Sequence, residues 1–346
     1  MERKNLEAYL QKVPKAELHL HFEGAMQPET LFYLAQKNHF DLPAKNIDDL
    51  QKWFVFDGFS HFVTVYHAIT NCLQTVEDYA YATFELGKFL SSQNIRYAEV
   101  TFTPSNHYRR GVNFETFFTG LTNGKKKVQN ELQIELNWVF DIERNSDERE
   151  KYANYVVDVA IEGRKNGVVA LGLGGKEEGY PAKLFTHFFT RARKAGLHSV
   201  PHAGEFTDSR NIWDAIELLG ADRIGHGVKA ATDEMLLKVL VEKQIPLEIN
   251  PTSNLKLGIY KNMEDHPLQL LQEKGVIIVL GSDDPSLFTN SLIGDLRLIS
   301  MIPFFTLTIL HTFIINSFTY SFMDEKRKQK MLSEVTNTMK SCITEY

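Results

Sequence analysis

Short β-type runs alternate with helix-length segments along the chain, and this alternation restricts the fold more than any other feature of the sequence. Amphipathic stretches such as Thr75–Ser92, Asp147–Asn166 and Thr232–Lys243 separate the runs. Strands joined through helices form βαβ units, whose strands lie parallel in one sheet. Eight such runs predict an α/β fold of the (β/α)8, or TIM-barrel, type, and an open doubly wound sheet is the alternative. The predicted strands are Glu17–Phe22, Arg96–Phe102, Ile134–Phe140, Val168–Leu173, Leu197–Pro201, Arg223–Gly225, Pro246–Ile249 and Val276–Gly281.

No linker, repeat or low-complexity tract interrupts the 346 residues, so we interpret residues 1–346 as a single barrel domain. The interval 32–93 is too long for one helix between two strands. We therefore expect it to form extra helices that pack over the C-terminal face of the barrel. Its aromatic residues are Trp53, Phe54, Phe56, Phe59, Phe62 and Tyr66.

Charge and cysteine content exclude several classes of protein. The chain has 38 Lys and Arg against 44 Asp and Glu, which leaves a net charge of −6 and no basic stripe for nucleic acid. Cys72 and Cys342 are the only cysteines, which fits a reducing compartment and no disulfide scaffold. The N-terminal residues show no signal sequence, and Met301–Ile315, the most apolar window, is too short to cross a bilayer. We expect a cytoplasmic protein with no nucleic-acid or membrane partner, and the sequence leaves its oligomeric state open.

Histidines and carboxylates collect at the ends of the predicted strands. The C-terminal ends of parallel strands meet on one face of a barrel, where catalytic groups gather. His19 and His21 are two residues apart on a strand, so both rings lie on one face and can bind one ion. Three histidines and one aspartate form a ligand set that suits zinc or a similar divalent ion. The strand-end residues are His19, His21, His202, His226, Asp283 and Asp284.

Each of these signals also has a structural interpretation. An isolated His-x-His at a strand end is more often a partly buried pair than a metal site. Glu205, three residues after His202, is suited to act as a partly desolvated general acid or to stabilise the start of a helix. Ser282–Pro285 is also typical of a turn that leads into a helix. Gly172–Gly175 indicates either a tight turn or a place where the backbone approaches a flat ligand closely.

Five motifs together resemble the adenosine deaminase family of the amidohydrolase superfamily. They occur in the family's order, and the resemblance runs from about residue 10 to about residue 335. It implies a hydrolase with a (β/α)8 barrel and one zinc per chain. The motifs are Pro14-Lys-Ala-Glu-Leu-His-Leu-His-Phe-Glu-Gly24, His202-Ala-Gly-Glu205, Gly225-His226-Gly227, Asn250-Pro-Thr-Ser-Asn254 and Ser282-Asp-Asp-Pro285.

The resemblance also implies a role for each site residue. Water activated by the metal attacks C6 of an adenine ring, Glu205 protonates N1, and ammonia leaves. His226 orients the attacking water and helps to deprotonate it. Asp284 binds N7, and the backbone N–H of Gly175 binds N3. The implied zinc ligands are His19, His21, His202 and Asp283.

Substrate choice is where the sequence departs from the family. Many nucleoside-specific members carry Asp after His-x-His, where it binds the ribose 5′-hydroxyl, whereas this chain has Glu23. We expect Glu23 to reach that hydroxyl, so that the substrates are adenosine and 2′-deoxyadenosine. The alternative substrate is another 6-aminopurine, either adenine or a 5′-substituted nucleoside such as aminodeoxyfutalosine or methylthioadenosine. A dinuclear amidohydrolase and a non-enzymatic binding protein are weaker alternatives, since no lysine lies in Val168–Leu173 and the catalytic set is complete.

Overall fold

The computed structural model describes residues 3–55 and 58–344. Eight strands form one parallel sheet in the order β1 to β8, with each strand paired to the next. A parallel bridge between Leu20 and Asp283 joins the last strand to the first. The predicted (β/α)8 barrel is therefore confirmed. The strands are β1 Lys15–His21, β2 Ile95–Phe102, β3 Glu135–Glu143, β4 Val168–Gly174, β5 His198–Ala203, β6 Ile224–His226, β7 Leu247–Ile249 and β8 Ile278–Leu280.

Sixteen α-helices occur in the described ranges, together with short 3-10 or π turns at 164–166, 182–185, 215–219 and 228–232. None of these helices combines the length and the apolar character needed to span a membrane. The helices are α1 Arg3–Lys12, α2 Pro28–Lys37, α3 Ile47–Phe54, α4 Gly58–Cys72, α5 Val76–Ser92, α6 Pro104–Tyr108, α7 Phe114–Leu132, α8 Arg149–Gly163, α9 Thr186–Lys194, α10 Ser209–Asp214, α11 Glu234–Lys243, α12 Pro251–Lys256, α13 Leu268–Glu273, α14 Leu292–Ser300, α15 Leu307–Thr319 and α16 Glu325–Thr344.

The predicted extra region contains both added helices and a regular barrel helix. Phe62 and Tyr66 of α4 lie over the C-terminal ends of the strands, where they line the main cavity. By contrast, α5 packs closely against α7, and a Cβ at Gly124 would lie only 2.4 Å from Cβ of Thr83. Glycine is therefore needed where these two helices meet. Phe56 and the side chain of Phe59 lie outside what the structure describes.

The start of α5 shows how local sequence fixes an element. Thr75 accepts a hydrogen bond from the backbone N–H of Asp78, and the Asp78 carboxylate accepts one from the N–H of Thr75. This reciprocal capping box satisfies two N–H groups that have no partner inside the helix. The carboxylate also pairs with Lys37 of α2. The cap thus joins an added helix to the barrel wall.

Candidate active site

Four side chains from three well-separated parts of the chain meet at one point. His19 and His21 come from β1, His202 from β5, and Asp283 follows β8. Nε2 of His21 lies 3.3 Å from Nε2 of His202 and 3.3 Å from Oδ1 of Asp283. Nε2 of His19 lies 3.4 Å from the same oxygen. Structure and sequence therefore select the same four residues.

These four residues fit one zinc-like ion. Two ligands at about 2.0–2.1 Å from one tetrahedral zinc lie about 3.3–3.4 Å apart, and the three atom pairs given above have this spacing. Nε2 of His19 is buried and has no hydrogen-bond partner, as expected of an atom that binds a metal. All four ligand atoms lie within 4.8 Å of one another. Three imidazoles and one carboxylate also match the ligand preference of zinc.

A network of buried charged side chains orients the ring of His19. Oε2 of Glu248, on β7, lies 2.8 Å from Nδ1 of His19, and its Oε1 accepts a hydrogen bond of 2.6 Å from Nε of Arg223. Arg223 also pairs with Glu99 of β2. Burial alone would raise the pKa of Glu248, but the adjacent Arg223 charge holds it below its usual value. This network was not predicted, and its signal in the sequence is a charged residue in each of three predicted strands, Arg96–Phe102, Arg223–Gly225 and Pro246–Ile249.

Glu205 lies beside His226, next to the four candidate metal ligands. Oε2 of Glu205 is 3.6 Å from Nε2 of His226, which is itself 3.8 Å from Oδ2 of Asp283. Burial raises the pKa of Glu205 well above its ordinary value, and the charges of Asp283 and Glu177 add to this. Burial also lowers the pKa of His226, to about 3. The pair therefore combines a carboxyl group that tends to keep its proton with a neutral imidazole.

The loop that carries Glu205 is held by a second glutamate. The carboxylate of Glu177 accepts hydrogen bonds from four successive backbone N–H groups, those of residues 204–207, at 2.5–3.2 Å. Gly204 has φ of 66°, a conformation that favours glycine. Glu177 lies two residues beyond the predicted Gly172–Gly175 turn and was not among the predicted site residues. Its role in the structure is to fix the position of Glu205.

Most of the predicted site residues face a single cavity. Among the described residues, every predicted site residue except His19 and Glu23 lines one cavity of about 500 Å³. Asp284 packs against Gly24, where a Cβ would lie 1.7 Å from the carboxylate. Gly175 has φ of 84°, and a Cβ there would lie 2.7 Å from Oδ1 of Asn145. Both glycines are therefore required by the shape of the cavity wall.

Glu23 does not occupy the position that we expected. Its side chain is fully buried, and Oε1 accepts a hydrogen bond of 2.9 Å from Nε2 of His107. Tyr79 and Arg110 both donate to Nδ1 of that ring, at 2.6 and 3.0 Å, so the ring proton is on Nε2. We expected Glu23 to reach the 5′-hydroxyl of a bound nucleoside, whereas the structure holds its carboxylate outside the cavity lining. The partner that holds it lies 84 positions away along the chain.

A different carboxylate faces the cavity. Asp141 follows the apolar part of β3 and is buried, and Thr103 donates a hydrogen bond of 2.6 Å to its Oδ1. Oδ2 lies over the glycine turn, 2.7 Å from where a Cβ of Gly174 would be. Asp141 directly follows the predicted strand Ile134–Phe140 but belongs to none of the five motifs, and for that reason it was not among the predicted site residues.

The comparisons with known proteins agree with this geometry. A family model described as adenosine deaminase matches residues 14–338. The adenine deaminase of Wolinella succinogenes is 36% identical over 330 residues, which cover 95% of this chain and 99% of that protein. The aminodeoxyfutalosine deaminase of Streptomyces avermitilis is 34% identical and covers 96% and 93%. The crystal structure of an adenine deaminase from Arthrobacter aurescens has a TM-score of 0.89 at 31% identity, over 95% of this chain and 99% of that one.

Proposed function

The chain belongs to the adenosine deaminase family and is a hydrolase of C–N bonds, and from this premise we propose that its substrate is free adenine. The products are hypoxanthine and ammonia. The position of Glu23 carries the choice of adenine over adenosine. Since its carboxylate is buried against His107, it does not present an acceptor to a 5′-hydroxyl in the cavity. The relatives named adenine deaminase support the same substrate.

Glu205 is the general acid of this proposal. Burial raises the pKa of its carboxyl group well above the ordinary value, which favours the protonated form, and this group delivers a proton to N1 of the ring. Protonation at N1 draws electrons from C6, which makes that carbon more reactive toward water. Oxygen of water then adds at C6, and the amino group leaves as ammonia. Glu177 keeps the acid in place through the four backbone hydrogen bonds that it accepts.

His19, His21, His202 and Asp283 would hold a single zinc ion. When bound, the ion lowers the pKa of water, so that a nucleophile forms near neutral pH. His226 orients the attacking water from the side of Glu205. Glu248 keeps Nε2 of His19 directed at the ion by bonding the other ring nitrogen.

The purine ring is held by groups around its other edges. Asp284 binds N7, and the backbone N–H of Gly175 binds N3. N9 lies between these two positions on the ring, and Asp141 lines the cavity beside Gly174. A free base carries a proton on N9, whereas a nucleoside carries the sugar there. Asp141 therefore accepts the N9–H of adenine and selects the free base.

A 5′-substituted nucleoside such as aminodeoxyfutalosine is the second candidate substrate. The cavity of about 500 Å³ supports it, because pockets of this size hold ligands larger than a bare purine. The Streptomyces relative also carries the name of this activity.

One absorbance panel tests both candidates. Purified zinc-loaded protein is mixed with adenine, adenosine, 2′-deoxyadenosine, methylthioadenosine and aminodeoxyfutalosine, and loss of the 6-amino group is followed in the ultraviolet. We expect the highest kcat/KM with adenine. A higher value with aminodeoxyfutalosine moves the assignment to the second candidate, and faster turnover of adenosine restores the original expectation.

A further inference from the structure

The Asn250–Asn254 motif has no role in the chemistry described above, yet it lies against a catalytic ring. Nδ2 of Asn254 is 3.3 Å from Nδ1 of His226, and both side chains are buried. Nδ1 is the ring nitrogen on the far side from Glu205. The contact therefore bears on where His226 carries its proton.

The orientation of Asn254 is set by a third residue, His266. The backbone N–H of Leu268 donates to Nδ1 of His266 at 3.1 Å, so this nitrogen has a lone pair and the proton of the neutral ring is on Nε2. That Nε2 lies 3.1 Å from Oδ1 of Asn254 and donates to it. Since the amide oxygen faces His266, the amide nitrogen faces His226 and donates to its Nδ1.

Asn250 also lies near Nδ1 of His226, but it does not determine which nitrogen of that ring is protonated. Its Nδ2 lies 3.5 Å from the same Nδ1, at the limit of a hydrogen bond. Its Oδ1 is buried without a partner, so nothing outside the pair fixes which end of the amide faces His226. The backbone N–H of Leu268 therefore determines, through His266 and Asn254, which nitrogen of His226 carries the proton.

We propose that His266 and Asn254 are positioning residues that hold His226 as the neutral tautomer with its proton on Nε2. This nitrogen lies 3.6 Å from Glu205 and 3.8 Å from Asp283. His226 then donates a hydrogen bond to the oxygen that adds at C6 and does not remove its proton. One proton of water passes to the Glu205 carboxylate, which has given its own proton to N1, and the other passes to the departing amino group as the C6=O bond forms. The tautomer follows from the fold, and only its catalytic use rests on the proposed function.

Nitrogen NMR of the zinc-loaded protein tests the tautomer without turnover. We expect His226, assigned by its loss in the His226→Gln variant, to show a protonated Nε2 and an unprotonated Nδ1. In Asn254→Asp the carboxylate can only accept, so the proton moves to Nδ1. A His226 ring with a bare Nε2 in the unaltered protein overturns the proposal, even if the protein is an active deaminase.

Kinetics then test the use of the tautomer. Asn254→Asp should lower kcat about 10²- to 10⁴-fold with little change in KM, since a wrongly oriented tautomer slows histidine-dependent catalysis by up to about 10⁴. His266→Leu should lower kcat less, and His266→Gln, which restores an N–H donor, should recover much of the loss. His187→Leu, at an exposed site, is the matched control for removal of a histidine. Unchanged kcat in folded, zinc-loaded Asn254→Asp contradicts the proposal. Failure of the unaltered protein on every purine contradicts the proposed function alone.

Discussion

Oε2 of Glu248 lies 2.8 Å from Nδ1 of His19, and this contact determines which nitrogen of that ring is available to a metal. Arg223 binds the other carboxylate oxygen at 2.6 Å and keeps the group charged. A charged carboxylate accepts the Nδ1 proton, which leaves the Nε2 lone pair directed at the cluster.

Glu248→Gln should therefore weaken zinc binding about 10- to 100-fold, the usual effect of losing a partner of a metal-binding histidine. Competition with a chelator measures the change, and the unfolding temperature shows that the barrel persists. Glu143→Gln, which alters a carboxylate paired with Arg109 outside the ligand set, is the control. Equal zinc affinity in both variants would show that Glu248 does not orient the ligand.

A metal ligand and a general acid should fail in different ways. Asp283→Ala removes a zinc ligand, so both the metal content and the activity should be lost. Glu205→Gln should retain the metal and the fold while kcat falls about 10²- to 10⁴-fold, the usual contribution of a positioned acid or base. Elemental analysis beside steady-state kinetics separates the two. Two metals per active chain, or normal turnover by Glu205→Gln, contradicts these assignments.

Asp141 should discriminate between adenine and 9-methyladenine, which lacks the N9 proton. A buried acceptor left without its donor rejects an analogue strongly, by about 10⁴ in favourable sites. Asp141→Ala should lose kcat/KM for adenine and retain it for 9-methyladenine, so that the ratio of the two falls. Thr103→Val, which removes the hydroxyl that orients the carboxylate, should lower the ratio less. An equal loss for both substrates would exclude a role at N9.

Glu177→Ala should slow the reaction indirectly, by releasing the loop that carries Glu205. Four backbone N–H groups lose their shared acceptor, and we expect a loss of about 2–4 kcal/mol in stability because such groups are costly to leave unpaired. Glu205 should also become less well placed, with a lower kcat at full zinc occupancy. Denaturant unfolding and kinetics measure the two effects. Glu178→Ala, at the exposed neighbouring carboxylate, should change neither.

Lys15 gives a prediction for stability against pH. Its ammonium donates to the carbonyls of Leu10 and Val13 in a buried site, and burial lowers its pKa to about 7, against about 10.4 in an unfolded chain. Between these values the unfolded chain binds more protons, so this site adds stability as pH rises. The free energy of unfolding of the unaltered protein minus that of Lys15→Met should rise by about 2 kcal/mol between pH 7 and pH 9, with the slope steepening toward about 1.4 kcal/mol per pH unit. Urea unfolding at several pH values measures this slope, and a flat difference contradicts the shifted pKa.

The order of the strands and the four candidate metal ligands could be predicted from local patterns in the sequence. His19 and His21 are two positions apart on a strand, and that spacing alone places both rings on one face. His202 fell one residue beyond its predicted strand, but strand ends from a single sequence are loose, and β5 extends to include it.

The side-chain directions at Glu23 and Asp141 depend on partners distant in sequence. His107 turns Glu23 away from the cavity, and Thr103 aims Asp141 into it, and neither pairing leaves a local pattern. In the proposed function, substrate choice depends on these two carboxylates, and the motifs favoured adenosine because neither direction is visible in the sequence. The single-domain assignment and the cytoplasmic location stay predictions.

The bridge between Leu20 and Asp283 has a consequence for biosynthesis. Ribosomes add about 5–20 residues each second, so Asp283, some 260 residues after His19, is made roughly 10–50 s later. During that interval the nascent chain presents its histidines without the carboxylate that completes the set. The complete site exists only after the eighth strand has joined the first. Completion of the four-residue set is therefore a late event, and we expect zinc supplied after synthesis to be as effective as zinc present throughout.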